Sequence, residues 1–255
     1  MPSCRSIWPS RAASAIRPGW YFRLQKRVLI VGPCKVQNLP FCGKPYALHP
    51  LLLVLPVVLA LAGAAVAAES VIATLTIVRG TVSVSRIGSS FPERPARGTA
   101  LMIGDEVRTG DESLCQITFT DETYVNLGPR SAVRINQYAY DARSARRSSV
   151  LQILGGIARI IDYRVHSRDS RMRIEAEPAS AFPDDRTDIV VSVSSGGAAD
   201  VIVLQGSARV QNRLHYVVGE VCLREHMRTN VVEKKPPMSP SVLSAQERQS
   251  ILEVW

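Results

Sequence analysis

Residues 153–160, ILGGIARI, form a short apolar run that glycine interrupts, and residues 77–84 (IVRGTVSV) and 203–210 (VLQGSARV) repeat the template. The fourth place of every copy is glycine: Gly80, Gly156 and Gly206. Glycine weakens a strand unless the chain bends or bulges there, so each copy predicts a strand, a bend and a second strand. The copies are separated by 76 and 50 residues. This unequal spacing disfavours a regular solenoid and favours a roll or sandwich.

From residue 71 onward, the chain contains short runs that are rich in β-branched residues. Gly, Pro, Asp or Ser stands at the ends of these runs. Cys115, Ile117 and Phe119 alternate with polar residues, as in a half-buried strand. No run between residues 70 and 232 keeps a helical period. We therefore predict an all-β fold, a roll or sandwich of short antiparallel strands. The predicted strands are 72–79, 81–86, 106–109, 114–120, 124–127, 132–137, 150–154, 157–162, 172–176, 188–193, 200–205, 207–210, 215–218 and 221–224.

The end of the chain changes character. Residues 234–240, KKPPMSP, are typical of a stiff linker. Ser244 and Glu247 have the spacing of a capping box, which predicts a short C-terminal helix to about residue 254. The predicted organisation is a leader over 1–68, a β-domain over 69–165, a second β half packed on it over 166–232, and linker and helix over 233–255.

The net charge of +9 comes from the leader. Residues 1–68 hold eight basic residues and no acidic one, whereas the remainder holds 23 basic and 22 acidic residues. The body of the chain is thus nearly neutral, and nucleic acid is not a predicted partner.

Residues 51–68, LLLVLPVVLALAGAAVAA, carry no charge. The most hydrophobic part, residues 51–61, is short for a membrane span. Ala65-Val66-Ala67 has the pattern that signal peptidase cleaves. We expect a periplasmic or secreted protein, cleaved near Ala67 or Ala68. The alternative is an inner-membrane anchor. Residues 1–46 are long and proline-rich for a signal peptide, which suggests a true start downstream of Met1.

Cleavage would leave two cysteines, Cys115 and Cys222, in a compartment that permits disulfides. Strand alternation places Cys115 on an apolar face but Cys222 on the face of Glu220 and Arg224. Whether Cys115 and Cys222 form a disulfide is left open by the sequence.

The sequence predicts no catalytic residue, cofactor or metal site, and hence no enzyme. His166, His215 and His226 lie in polar surroundings, and no G-x-S-x-G nucleophile motif occurs. No cysteines and histidines have metal-ligand spacing. The acidic group of Asp184, Asp185 and Asp188 favours a solvated loop, with weak calcium binding left open.

Several motifs follow one another in the first β-domain: Gly80-Thr81-Val82, Gly104-Asp105-x-x-x-Thr109-Gly110, Phe119-x-Asp121, Leu127-Gly128-Pro129-x-Ser131, Tyr138-x-Tyr140-Asp141 and Leu154-Gly155-Gly156-x-x-Arg159. This ordered set resembles the FecR domain. The resemblance covers residues 75–165 well and 172–225 more loosely. One departure is Glu122, which stands where the family usually has glycine. Glu122 must then adopt the turn conformation of that glycine.

The resemblance implies an exported, non-enzymatic domain that binds an envelope component or a protein partner, with a role in signalling. The family namesake is an inner-membrane regulator that relays a signal from a TonB-dependent transducer to a sigma factor. Residues 1–46 show no pattern of the namesake's cytosolic helical domain. A membrane-anchored relay is therefore the first alternative, and an envelope enzyme is the second.

Two turn-rich connections, 87–100 and 138–149, are the predicted binding loops, because loops carry function on β-scaffolds. The predicted contact residues lie in the second loop: Tyr138, Tyr140, Arg143, Arg146 and Arg147. Tyr138 and Tyr140 also belong to the family pattern, so a structural role is the alternative for them, and the three arginines are the preferred contact residues. We expect alanine at the three arginines to leave folding intact.

A denser basic stretch holds Arg159, Arg164, Arg168, Arg171 and Arg173. It is a solvated sheet face or a site for lipopolysaccharide, an acidic glycan or an acidic protein surface. A structural role is predicted for the motif residues Gly80, Gly104, Asp105, Thr109, Gly110, Asp121, Gly128, Pro129, Ser131, Gly156 and Gly206.

Overall fold

The computed structural model describes residues 70–255, so the leader and the predictions made for it lie outside the described residues. Within that range the chain forms sixteen strands and one helix, which confirms the all-β prediction. The strands are β1 Ala73–Arg79, β2 Val82–Ser85, β3 Ala100–Leu101, β4 Glu106–Thr109, β5 Leu114–Phe119, β6 Tyr124–Leu127, β7 Ala132–Asp141, β8 Arg146–Ile161, β9 Arg171–Ala176, β10 Ala179–Pro183, β11 Asp188–Val193, β12 Ala198–Gln205, β13 Ser207–Asn212, β14 Glu220–Arg224, β15 Met227–Val232 and β16 Ser241–Val242, and the helix is α1 Ala245–Leu252.

The strands pair as two sheets that share β8. Sheet A has the order β3-β1-β5-β6-β8-β11-β12-β15-β16, and sheet B has the order β2-β4-β7-β8-β9-β10-β13-β14. All pairs are antiparallel except β8 with β9. Buried side chains of both sheets form one hydrophobic cluster, to which Leu75 and Ile160 of sheet A and Val84 and Ile135 of sheet B belong. The sheets are not closed into a barrel.

The three repeat glycines mark points where the chain passes from sheet A to sheet B or back. Gly80 separates β1 from β2, Gly206 separates β12 from β13, and Gly156 lies inside β8, where its pairing changes from β7 to β11. Their φ angles are 74°, 85° and 74°. The predicted bends between layers are therefore confirmed.

Several predicted strand boundaries were wrong. The separate strands 150–154 and 157–162 are one continuous strand, β8, and β3, β10, β15 and β16 were not predicted. The predicted strand 215–218 is a turn. The side chain of Asn212 accepts a hydrogen bond from the Leu214 amide (2.8 Å), and Val217 N donates to Leu214 O (2.9 Å), so local bonds replace a strand ladder there.

The C-terminal helix begins at the predicted capping box. Ser244 Oγ accepts from Glu247 N (3.2 Å), and Glu247 Oε2 accepts from Ser244 N (2.8 Å). The helix ends at Leu252 and buries none of its residues. Polar contacts hold it to the β-body, including an ion pair of Glu247 with Arg228 (3.2 Å). Among residues 70–255, no helix is long and apolar enough to cross a membrane.

Candidate functional site

Hydrogen bonds of the motif residues connect the turns near the points where the chain passes from one sheet to the other. Thr109 Oγ1 donates to the Gly128 carbonyl (2.6 Å) and accepts from Ser131 N (2.9 Å). Ser131 Oγ in turn accepts from the amide of Ile157, next to Gly156 (2.8 Å). Asp105 accepts from Met102 N (2.9 Å) and pairs with Arg86 (3.0 Å), which closes the turn at Gly104. These side chains are occupied by the fold and are not available to a ligand.

A buried ionic cluster lies behind the β7–β8 hairpin and consists of Asp121, Arg147, Asp162 and His166. Arg147 Nη1 is 3.1 Å from Asp121 Oδ2 and 2.8 Å from Asp162 Oδ2, and it also donates to Thr123 Oγ1 (3.0 Å). His166 Nε2 is 3.0 Å from Asp162 Oδ2. Buried charges persist only when they are paired, so the cluster fixes the hairpin to the turn after β5 and to the segment after β8.

The prediction that Arg147 is an exposed contact residue was wrong, because its side chain is only 3% exposed. The predicted loop 138–149 is the end of a hairpin in which β7 runs to Asp141 and β8 starts at Arg146. Alternation along β8 turns Arg147 inward together with Ser149 and Leu151. Arg143 and Arg146, near the hairpin turn, are exposed.

Tyr138 is also buried, which favours the structural alternative for this residue over a role in contact. Its hydroxyl accepts from Asp121 N (2.9 Å) and shares a hydrogen bond with Thr120 Oγ1 (2.9 Å). Burial raises the pKa of the Tyr138 hydroxyl. Tyr140 is half-buried, and Arg164 donates to its hydroxyl at 3.5 Å. The other predicted loop, 87–100, is exposed and presents Phe91 to solvent.

An open groove of about 1550 Å³, here called the arginine groove, lies on the β-body. Residues 167–172 and 182–186, with parts of β13 and β14, form its walls. Six arginines line it: Arg147, Arg168, Arg171, Arg186, Arg209 and Arg224. Three carboxylates also line it, those of Asp184, Asp185 and Glu225. The groove therefore has an excess of positive charge.

Two of the six arginines are in ion pairs, Arg147 with Asp121 and Asp162, and Arg209 with Glu220 (3.6 Å). Within the described range, Arg168, Arg186 and Arg224 form no ion pair with a carboxylate. Arg171 donates to the carbonyls of Arg168 (3.3 Å) and Ser170 (3.0 Å). The Arg209 guanidinium lies 5.6 Å from the centroid of the Phe182 ring. Held cations that face an open groove attract anions.

The basic stretch seen in the sequence separates into two parts. Arg168 and Arg171 line the groove. The other three are paired elsewhere: Arg159 with Asp188 (2.7 Å), Arg164 with Glu122 (2.5 Å) and Arg173 with Glu175 (3.1 Å). Sequence reasoning missed Arg186, Arg209 and Arg224, because only the pairing of β10, β13 and β14 brings them beside Arg168.

The histidines, Cys115 and the acidic group of residues 184–188 have the following surroundings in the described part of the chain. None of the three histidines within residues 70–255 hydrogen-bonds a serine, threonine or cysteine side chain. Cys115 is a free thiol in the core, and burial raises its pKa to about 12, so it stays protonated at neutral pH. The acidic group separates: Asp188 pairs with Arg159 (2.7 Å), and Asp184 accepts from Ser207 Oγ (2.5 Å).

Comparison with known proteins confirms the resemblance. Residues 105–209 match the family model described as FecR protein. Two crystal structures of a candidate anti-sigma factor from Parabacteroides distasonis ATCC 8503 align over 58% of this chain with 15% identity and TM-scores of 0.44 and 0.43. The chain spans 63% and 64% of the length of those two chains. No curated protein matches the sequence.

Proposed function

We propose that the FecR domain at residues 105–209 belongs to an exported, non-enzymatic signalling regulator that binds a protein partner through the arginine groove. The observation that carries this proposal is the convergence of five exposed arginines against three carboxylates in one open groove; the sixth arginine of the lining, Arg147, is buried and paired. We place the regulator in the periplasm or outside the cell, after cleavage near Ala67 or Ala68.

The partner that fits this groove is an acidic segment of a protein. Guanidinium groups bind carboxylates in a bidentate geometry, and Arg168, Arg186 and Arg224 have their donors available. Met172 and Phe182 add apolar surface to the lining. An extended acidic segment would therefore find both charge pairing and apolar contact along the groove.

Charge reversal of the groove tests the proposal. We would replace Arg168, Arg186 and Arg224 by Glu and measure the anisotropy of a fluorescein-labelled decaglutamate peptide at low salt. The matched control replaces Arg79, Arg94 and Arg97 by Glu, because these arginines are exposed and lie outside the groove. We expect the groove variant to weaken peptide binding at least tenfold and the control to change it less than threefold.

Two outcomes would correct the proposal. Equal weakening by both variants would show a general charge effect and remove the groove as the site. If the groove variant loses binding to lipopolysaccharide micelles but keeps peptide binding, the partner is an anionic glycolipid. The mass of the mature N-terminus in cells tests export separately: an uncleaved leader supports the membrane-anchored relay.

A further inference from the structure

Three potential metal ligands converge at the edge of the arginine groove. Asp162 follows β8, His166 lies four residues later, and Asp185 lies in the turn between β10 and β11. One ligand atom from each residue lies within 4.8 Å of the others. Asp185 also lines the groove.

His166 is the most constrained member of this group. Its side chain is 1% exposed, and its Nε2 lies 3.0 and 3.2 Å from the carboxylate oxygens of Asp162. The other ring nitrogen, Nδ1, is buried and has no hydrogen-bond partner among the described residues. The nitrogen that faces Asp162 is Nε2, so an ion shared by His166 and Asp162 would bind Nε2 and replace this hydrogen bond. Nδ1 would then be the protonated ring nitrogen, because a metal-bound imidazole carries its proton on the other nitrogen.

Asp185 faces a second carboxylate at this place. It is exposed beside the arginines of the groove, yet within residues 70–255 it forms no ion pair. Instead it lies near Asp162 and His166, where the two carboxylates repel each other. A divalent cation between the two carboxylates would offset this repulsion.

We propose that Asp162, His166 and Asp185 form a binding site for a divalent transition-metal ion of the Zn²⁺ class. Imidazole nitrogen together with carboxylate oxygen suits Zn²⁺, whereas Ca²⁺ and Mg²⁺ prefer oxygen ligands alone. The ion would tie the segment after β8 to the turn before β11. This site is independent of the partner proposed above.

Asp185→Asn is the decisive variant, since Asp185 is exposed and the change keeps its shape. The full-length chain would be stripped with EDTA and titrated with Zn²⁺ by calorimetry. Asp169→Asn is the matched control, because Asp169 is exposed in the same region and lies outside the cluster. We expect the Asp185 variant to weaken Zn²⁺ binding at least tenfold and the control less than twofold. Cys4, Cys34 and Cys42 can also bind zinc, and both variants keep them.

Two-dimensional NMR of the histidine ring nitrogens gives a second readout. We expect Zn²⁺ to shift one ring nitrogen of His166 in the wild type, and Ca²⁺ to leave both unchanged. The proposal is overturned if Zn²⁺ leaves the His166 signals unchanged, or if both variants bind Zn²⁺ as the wild type does. Ring signals of a doubly protonated His166 that Zn²⁺ does not alter would show that a histidine cation joins the two carboxylates instead.

Discussion

Gly156 combines a φ of 74° with close neighbours on the crossing of β8 between the sheets. A Cβ added there would lie 2.5 Å from the Arg130 carbonyl oxygen and would also meet Ser131 Oγ. Neither the backbone conformation nor the space accepts a side chain. Gly155, the preceding residue, has no atom within 4 Å of an added Cβ.

We predict that Gly156→Ala lowers the free energy of unfolding by about 1–3 kcal/mol, the cost of holding a non-glycine residue at positive φ in a crowded place. Gly155→Ala should change it by less than half as much. Urea denaturation of both variants measures the difference. Equal midpoints for the two variants would mean that the crossing does not depend on glycine.

Single residues were predictable where a pattern repeats. The bends at Gly80, Gly156 and Gly206 were predicted because three copies share one template, and Glu122 was predicted to take a glycine conformation, which its φ of 65° confirms. The burial of Arg147 was not predictable in the same way. Its partners Asp121 and Asp162 lie far from it in sequence, so only the fold brings the charges together.

At the scale of the element, the β7–β8 hairpin sets two adjacent arginines in opposite environments. Arg146 is exposed, and Arg147 is buried between Asp121 and Asp162. We predict that Arg147→Met lowers the free energy of unfolding by about 3–5 kcal/mol, because it leaves buried carboxylates without their cation. Arg146→Met should cost less than about 0.5 kcal/mol.

Chemical denaturation of these two variants checks the prediction against the earlier expectation from sequence, in which alanine at Arg143, Arg146 and Arg147 would leave folding intact. If Arg147→Met is as stable as Arg146→Met, the buried ionic cluster contributes nothing to stability. The double variant Arg147→Met with Asp121→Asn should lose less unfolding free energy than Arg147→Met alone. This result would identify the uncompensated charge of the buried carboxylate as the cause.

Strand identity was predictable from alternation, whereas strand ends were not. The bounds of β4, β6 and β11 agree with the prediction because turn residues flank each of them. β8 was divided at its glycines, since the sequence does not show that one strand can pair in two sheets. β10 was missed because Ala179–Pro183 is short and weakly apolar and is stabilised by its neighbours β9 and β13.

At the scale of the whole molecule, the arginine groove is a product of topology. Its arginines come from β8, β9, β13, β14 and two connections, and no single local spacing relates them. The sequence reported a nearly neutral body, with 23 basic and 22 acidic residues over 69–255. The fold brings several arginines together in one groove. A net charge near zero therefore did not reveal this local concentration of positive charge.

This concentration of like charge has a measurable cost in the absence of a partner. Arg168, Arg186 and Arg224 line the same groove without an ion pair to any carboxylate in the described part of the chain, so we expect the three lining carboxylates, Asp184, Asp185 and Glu225, to offset their repulsion only in part. Salt screens such repulsion, and removing the charges abolishes it. We predict that replacing the three by Gln raises the free energy of unfolding in 20 mM NaCl by about 0.2–1 kcal/mol, the range of exposed charge interactions.

The gain should shrink in 500 mM NaCl, where screening already relieves the wild type. The matched control replaces the exposed Arg79, Arg94 and Arg97, which lie outside the groove, by Gln. Denaturation of the wild type, the groove variant and the control variant at both salt concentrations distinguishes an effect of the groove from an effect of losing any three positive charges. A groove variant that is less stable than the control at low salt would show that the arginines support the fold. We expect the groove variant to be more stable than the control at low salt, because it removes repulsion between arginines. Such a loss of stability is typical of a surface that is selected for binding an anion and not for stability.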